Sequence, residues 1–518
     1  MMSDRPPLTS SPAWLALDAH RRDIADLRVT DLFAHDPQRA SRFSIETGDL
    51  YADWSKQRVT GETLNRLLAL AAQCDVDGWR RRLIAGEPVN STEGRAALHI
   101  GLRADEAHAS LEVRSARNSM RGFVDGVLRG ELRGATGKAF TAVVNLGIGG
   151  SDAGPRLITR ALRETGNPAL AARFAANVDP ADLDAALEGL DPATTLITVV
   201  SKSFGTVETI NNARRARDWL RSAPGADAHS HIAAVTGNTD AALAFGIAPD
   251  RIFRMQDSIG GRFSVWSAAG LSSALALGWD AFERLLAGAR RMDEHFRDAP
   301  AEANLPVILA LLSVWNTNFL GAQSEAVLPY SERLRDLVGW LQQLSMESNG
   351  KSADRDDRPV DYTTAPVIWG GTGSTSQHSF HQLLHQGTRL VPVEFVIVGE
   401  SEGDRVSNEL LVSNAIAQAA VLMTGSSNGP PHRRSAGNRP STTLLLRRLT
   451  PESLGQLLAL YEHKTFVQGV LWNINPFDQW GVEFGKDIAR RLAEGRPGGL
   501  DPSSIGLLER VRERTGPR

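Results

Sequence analysis

The chain has 518 residues, 42% of them hydrophobic, and 57 Lys and Arg against 60 Asp and Glu leave a formal charge of -3. That length exceeds what one hydrophobic core usually serves, so at least two globular domains are expected. The near-balance of charge excludes a general attraction to nucleic acid or anionic membrane, and an anionic ligand must be held by a local site.

Taken in chain order, Met1 to Pro6 lacks the apolar core of a signal peptide, and Cys74 is the one cysteine, so no internal disulfide can form. A reducing, cytoplasmic setting is expected. Residues 11 to 110 carry helical periodicity with caps and no strong strand signal, as in Thr60-Gly61-Glu62-Thr63-Leu64 leading into Leu67, Leu68 and Leu70. From Thr141 the pattern changes to short apolar runs followed by glycine or hydroxyl loops and then helices. Val143 to Leu146 precedes one such loop and Leu196 to Val200 another. Strand-loop-helix alternation implies a parallel sheet covered on both faces.

The longest apolar run, Leu305 to Trp315, is broken by Asn316 and Asn318 and is too short to span a bilayer, so it reads as a buried helix. The strand-loop-helix grammar resumes near Ala301, with strands at Pro366 to Trp369, Leu390 to Val398 and Thr443 to Leu446. Gly425 to Asn438, rich in Gly, Ser, Pro and Arg, reads as a surface loop. Thr450-Pro451 is an N-cap followed by proline in the first helical turn. The expected fold is α/β: two three-layer α/β/α sandwich domains with mainly parallel sheets, over 111–290 and 291–490, between a helical N-terminal segment (1–110) and a C-terminal helical tail (491–518).

Several polar knots interrupt this grammar. Gly147-Ile148-Gly149-Gly150-Ser151-Asp152 follows a strand and opens a helix, where backbone N–H groups would attract an anion. It fails as a dinucleotide fingerprint because Asp152 falls where the third glycine belongs. By itself it fits a tight packing turn equally well. Ser201-Lys202-Ser203-Phe204-Gly205-Thr206 repeats the geometry with one cation and three hydroxyls, which suits a phosphate monoester. Two such loops after successive strands favour phosphate over simple capping.

Arg262, between Gly260-Gly261 and Phe263-Ser264, can stabilise an oxyanion or pair with a buried carboxylate. A helix expected from Ser331 through Leu344 ends near Glu347, where a carboxylate at a helix C-terminus is electrostatically disfavoured and so suited to act as a base. Gln342, Gln343, Ser345, Asn349 and Lys351 supply more polar partners there than a solvated helix end needs. His378, His381 and His385 fall at i, i+3 and i+7, which on one helix would share a face and leave a metal site open as a competing reading. No carboxylate or thiolate cluster completes such a set, and Gln382 stands where a zinc-protease helix would carry glutamate. Gln479 and Lys486 lie two helical turns apart and can face one site.

Gly260 to Ser264, Met346 to Lys351 and above all Phe477-Asp478-Gln479-Trp480-Gly481-Val482-Glu483-Phe484-Gly485-Lys486 resemble the phosphoglucose isomerase family. The resemblance runs in unbroken order from about Phe33 to about Arg490. It implies two sugar-isomerase-type domains and reversible isomerisation of glucose 6-phosphate and fructose 6-phosphate through a cis-enediol, in glycolysis and gluconeogenesis, with no cofactor and no metal. Residue by residue, it implies Glu347 as the base, Arg262 beside the enediolate, and His378 and Lys486 in ring opening. Gly150, Ser151, Ser201, Lys202, Ser203, Thr206, Gln343 and Gln479 would bind the sugar phosphate. It also implies a homodimer with shared sites, His378 serving the neighbouring subunit. The sequence departs from the family at Ser203 and Gly205, where threonines are frequent, and at Gly373-Ser374-Thr375-Ser376, where Thr-Asn-Gly is usual. Two rivals remain: a non-catalytic sugar-phosphate sensor, which would have no use for Glu347, Arg262 and Lys486 together, and a metal-dependent isomerase built on the three histidines.

Overall fold

Eleven strands among the described residues form two sheets: β1 Ser44–Thr47, β2 Leu50–Asp53, β3 Ala142–Leu146, β4 Ala171–Ala175, β5 Thr195–Val200, β6 Ile232–Thr236, β7 Ile252–Arg254, β8 Ser324–Tyr330, β9 Val367–Gly370, β10 Val393–Glu400 and β11 Ser441–Arg448. The structure is a computed structural model and describes residues 7–164, 170–222, 228–401, 403–494, 496 and 498–515; Met1 to Pro6, read above for a signal peptide, lie outside it. It divides into two compact units, residues 1–476 and 477–518.

The first sheet has the order β4-β3-β5-β6-β7 and is parallel throughout. Its central strands β3 and β5 are buried at every residue, the pattern of strands covered on both faces. The second has the order β1-β2-β11-β10-β8-β9, with β11, β10, β8 and β9 parallel. Every strand expected from sequence is present. The N-terminal segment is not purely helical, however: β1 and β2 form an antiparallel hairpin that adds β2 to the free edge of β11. Each is four residues long, with only Leu50 and Ala52 of β2 buried, too short an alternation to stand out against the helices around it.

Helix Leu305–Val314 is buried at all ten positions, as its composition demands. Helix Pro451–Leu471 is capped as expected, Thr450 and Ser453 bonding each other's backbone reciprocally, and is buried along nearly its whole length. Helix Trp279–Asp298, which runs through residue 290 without interruption, lies against it. The two backbones touch: a Cβ on Gly288 would stand 1.9 Å from Glu452 O, and one on Gly455 2.0 Å from Leu285 O. No larger residue fits either position. Helix Arg405–Thr424 buries Ala415, Ala419 and Leu422 but exposes Val406, Leu410 and Ile416. By length and composition alone it could cross a membrane.

The unit 477–518 contains a short turn, Trp480–Val482, and helices Glu483–Ala493 and Pro502–Thr515, of which the second lies in the expected helical tail (491–518) and the first mostly precedes it.

Candidate active site

The loop after β3 closes a tight turn over Gly149–Ser151 before helix Ala153–Leu162. Asn145 Nδ2 in β3 donates to Ser151 O at 3.0 Å and holds the turn's shape. Gly150 is required by its neighbour, because a Cβ there would lie 1.9 Å from Gly261 O and 2.7 Å from Arg262 N. The turn is thus pressed against the segment that carries Arg262. Asp152, which spoils a dinucleotide fingerprint, forms a bidentate pair with Arg156 at 2.9 and 3.0 Å.

The loop after β5 leads into helix Val207–Leu220 with Thr206 at its N-cap. Ser201 and Thr206 share a hydroxyl hydrogen bond of 2.9 Å, and Ser203 Oγ accepts Gly205 N–H at 3.2 Å. Lys202 Nζ donates to Asp257 O at 2.9 Å and Ile259 O at 3.2 Å, just before Gly260-Gly261. Burial, reinforced by the positive charge of Arg95, holds the Lys202 ammonium below the ordinary lysine range. Asp257 and Glu93 oppose that shift.

Arg262 is 3% exposed. Its Nε donates to Ser348 Oγ at 2.6 Å, its Nη2 to Pro476 O at 2.6 Å, and its Nη1 to Glu347 Oε2 at 3.3 Å. Of the two roles considered for this arginine, pairing with a carboxylate is present: it is fixed by protein groups and meets a carboxylate that remains 22% accessible. Gln343 Nε2 donates to the same Glu347 oxygen at 3.2 Å, while Gln343 Oε1 is buried with no partner.

The single helix expected from Ser331 to Leu344 is broken into three forms. A 3-10 turn, Glu332–Leu334, precedes helix Leu337–Leu341, which widens into a π-turn over Gln342–Glu347. Apolar periodicity cannot distinguish a π-turn from an α-turn, and such turns are frequent at functional sites. Lys351 Nζ closes the end by donating to the carbonyls of Glu347 (3.0 Å) and Ser348 (2.6 Å).

The three histidines do not share one helix face. His378 ends a 3-10 turn, Thr375–His378, and is exposed, whereas helix His381–Gln386 begins after it. His381 and His385 both donate to Gln418 Oε1, at 3.1 and 2.7 Å. Among the described residues no group of three His, Cys, Asp or Glu side chains stands at metal-binding distance, and no hydrogen bond joins His378 to Glu347 or Arg262. Gln479 and Lys486 belong to the second unit, where Lys486 is ion-paired to Glu483 at 2.6 Å.

A cavity of about 480 Å3, lined by residues such as Leu8, Cys74, Val360 and Tyr362, includes none of these side chains. The contacts above instead join Gly150, Ser151, Lys202, Arg262, Gln343 and Glu347, six of the residues expected at the site, through the Gly260 to Arg262 segment. Sequence reasoning gave no role to Ser348 and Pro476, which aim the guanidinium, or to Asn145, which shapes the Ser151 turn; Ser348 stands within the Met346 to Lys351 motif, whereas nothing local distinguishes Pro476 or Asn145.

Glycine and hydroxyl loops at helix starts beside an oriented carboxylate–guanidinium pair fit an acid–base enzyme for a phosphorylated polar ligand. The sequence profile described as phosphoglucose isomerase matches residues 53–504. The chain is 49% identical to glucose-6-phosphate isomerase of Dechloromonas aromatica, over 97% of its own length and 99% of that protein, and 47% identical to that of Burkholderia pseudomallei, over 98% and 99%. A crystal structure of a glucose-6-phosphate isomerase from Chlamydia trachomatis matches the fold with a TM-score of 0.87 at 31% identity, over 98% of this chain and 99% of that one. The chain belongs to the phosphoglucose isomerase family and is an aldose–ketose isomerase.

Proposed function

We propose that this protein interconverts glucose 6-phosphate and fructose 6-phosphate in glycolysis and gluconeogenesis, by ring opening and proton transfer through a cis-enediol. The observation that carries the reading is the 3.3 Å contact of a buried, fully anchored Arg262 with the accessible carboxylate of Glu347, beside two anion-type loops. In this reading Ser151, Ser201, Lys202, Ser203 and Thr206 hold the phosphate, with Gly150 admitting the close turn. Binding energy from that remote group then positions the reacting carbons. His378 and Lys486 move protons to and from the ring oxygen and the anomeric hydroxyl. Glu347 carries the proton between C2 and C1, Arg262 offsets the developing negative charge, and Gln343 and Gln479 line the sugar. A preorganised donor such as Arg262 is typically worth about 3 kcal/mol in the transition state.

The sugar-isomerase domains are assigned to 111–290 and 291–490, one around each parallel sheet, and the setting to the cytoplasm. The protein is read as a homodimer, with His378 completing the partner's site. The exposed apolar side chains Val406, Leu410 and Ile416 of helix Arg405–Thr424 support self-association, and the polar Asn408, Glu409, Ser413 and Asn414 on the same helix favour a subunit interface over a lipid one.

A coupled assay with fructose 6-phosphate tests the activity. Turnover is expected to survive exhaustive chelation, since every proton transfer is assigned to a side chain; loss on chelation that a divalent ion restores would replace this mechanism. Refolding a mixture of Glu347→Gln and His378→Ala chains tests the shared site. A mixed dimer would hold one doubly defective and one intact site, so random pairing should restore roughly a quarter of wild-type activity. Activity no higher than the mean of the two separate variants, with mixed dimers confirmed by mass, would place His378 in its own chain's site.

A further inference from the structure

Helix Pro451–Leu471 carries polar side chains that the reaction does not use, yet they are almost completely buried: Glu462, His463, Lys464 and Gln468 are 0, 0, 7 and 2% exposed. Two of them end at the segments that bear the acid–base pair. Glu462 Oε1 accepts Trp266 Nε1–H at 2.8 Å, four residues after Arg262. Gln468 Oε1 accepts Asn349 Nδ2–H at 3.2 Å, two residues after Glu347.

Both contacts are themselves anchored. Glu462 Oε2 accepts Arg103 Nη1 at 2.5 Å, Arg103 is gripped by both oxygens of Asp293 at 2.6 and 2.7 Å, and its guanidinium lies 4.7 Å over the Trp266 ring. The Trp266 indole is thereby fixed at its edge and on its face. On the other side the hydrogen bonds have one possible direction. Lys464 pairs with Glu325 at 2.8 Å, so the Glu325 carboxylate is an acceptor and Ser313 Oγ–H donates to it at 3.2 Å. Ser313 Oγ must then accept from Gln468 Nε2 (2.8 Å), which leaves Gln468 Oε1 to receive Asn349 Nδ2–H. Asn349 Nδ2 also donates to Thr465 O at 3.1 Å, and its Oδ1 is buried without a partner. An asparagine that keeps an orphaned buried oxygen to make these bonds is being held in one orientation.

We propose that helix Pro451–Leu471 sets the separation and orientation of Arg262 and Glu347, with Glu462 and Gln468 as positioning residues about 9 Å apart along one rigid axis. The inference rests on the reading of Glu347 and Arg262 as base and enediolate stabiliser. Arg262 and Glu347 meet through one 3.3 Å contact, and the turn between them is held from below at Asn349 and from the side by the Arg262–Ser348 bond. Releasing either anchor lets the two groups drift apart while the phosphate loops, which belong to the first sheet, stay in place.

Gln468→Leu and Trp266→Phe test this. Gln468→Leu removes both bonds of the relay, and Trp266→Phe keeps a ring but removes the N–H to Glu462. For Gln468→Leu the expected result is a kcat lower by about 10- to 100-fold with KM for fructose 6-phosphate within about threefold, because misplacement of about 1 Å costs that much. Affinity for 5-phosphoarabinonate, whose planar carboxylate resembles the enediolate, should fall in parallel, and affinity for glucitol 6-phosphate should not. Trp266→Phe should show a smaller fall with the same split. Wild-type kcat per folded molecule in either Gln468→Leu or Trp266→Phe, or equal loss of affinity for both probes, overturns the inference; Trp266→Phe alone decides it if Gln468→Leu does not fold. Should Glu347→Gln keep full activity in the same assay, the base assignment fails and this inference with it. A dead Glu347→Gln beside a fully active Gln468→Leu rejects the inference alone.

Discussion

The loops after β3 and β5 and the turn that carries Glu347 are built in opposite ways. In the loops, backbone geometry does the placing: Gly150 fits only because it lacks a Cβ, and the side chains of Ser201, Lys202, Ser203 and Thr206 bond one another or nearby backbone while staying partly exposed, apart from Ser201. Around Glu347, side chains do the placing. Arg262, Ser348, Asn349 and Lys351 hold the π-turn by buried or partly buried hydrogen bonds. Donors that bond locally can exchange those partners for a phosphate at small cost, whereas a base must already stand at its reacting distance. On the proposed roles, binding is left adaptable and chemistry is held rigid.

The largest effect is expected at the rigid end. Glu347→Gln preserves shape and the contact with Arg262 but cannot accept a proton, so isomerisation and exchange of the C2 proton with solvent should fall by about 10²–10⁴-fold or more, with sugar-phosphate affinity changed only a few fold. Exchange at the wild-type rate would mean that another residue is the base and that the rigidity serves something else.

Gly150→Ala probes the point where the two regions touch. Its Cβ has no room against Gly261 O, so either the Ser151 turn or the Arg262 segment must move, and kcat/KM should drop by about 10- to 100-fold. Near-wild-type kinetics would show that the loop yields without disturbing Arg262, making the adaptable region more independent than the geometry indicates.

The smallest effect belongs to the adaptable loop itself. Ser201→Ala with Lys202→Ala should raise KM for the phosphorylated sugar far more than for the phosphate-free sugar; equal effects would remove phosphate from these loops. Lys202 also gives a pH signature. Burial lowers its affinity for a proton, so as pH rises the neutral amine forms below the ordinary lysine range and phosphate affinity should weaken there. A bound phosphate opposes this by favouring the ammonium, so the free protein should lose the proton at lower pH than the complex. In Lys202→Arg the alkaline weakening should disappear, because a guanidinium keeps its charge across that range. Titration of phosphate binding against pH reads both.

Much of the site was legible because its chemistry is local. Gly150-Ser151 and Ser201 to Thr206 follow buried strands and open helices as their spacing requires, and Glu347 stands beside Arg262 as the polar knots imply. What escaped the sequence came from partners far away in the chain. Strand β8, which the sequence pattern did not announce, contains Glu325 and Pro329; such residues weaken an apolar pattern until Glu325 is seen to pair with Lys464 at 2.8 Å. In helix Pro451–Leu471, Glu462-His463-Lys464 would be read as a solvent face, yet all three are buried among charged partners. The histidine triad failed as a motif for a related reason: the i, i+3, i+7 spacing has meaning only on one continuous helix, and the chain turns between His378 and His381.

By itself the sequence determined two mainly parallel sheets, the positions of β3, β5, β9, β10 and β11, the caps and the glycine and hydroxyl loops after β3 and β5, because strand burial, capping and loop chemistry are written within a few neighbouring positions. Only the tertiary structure decided the π-turn under Glu347, the β1–β2 hairpin on the edge of β11, the backbone contact of Gly150 with Gly261, and the charges buried along Pro451–Leu471. Each of these depends on groups that burial brings together from distant parts of the chain, and the free energy of a buried polar group is set by the partner it meets, which no local pattern specifies.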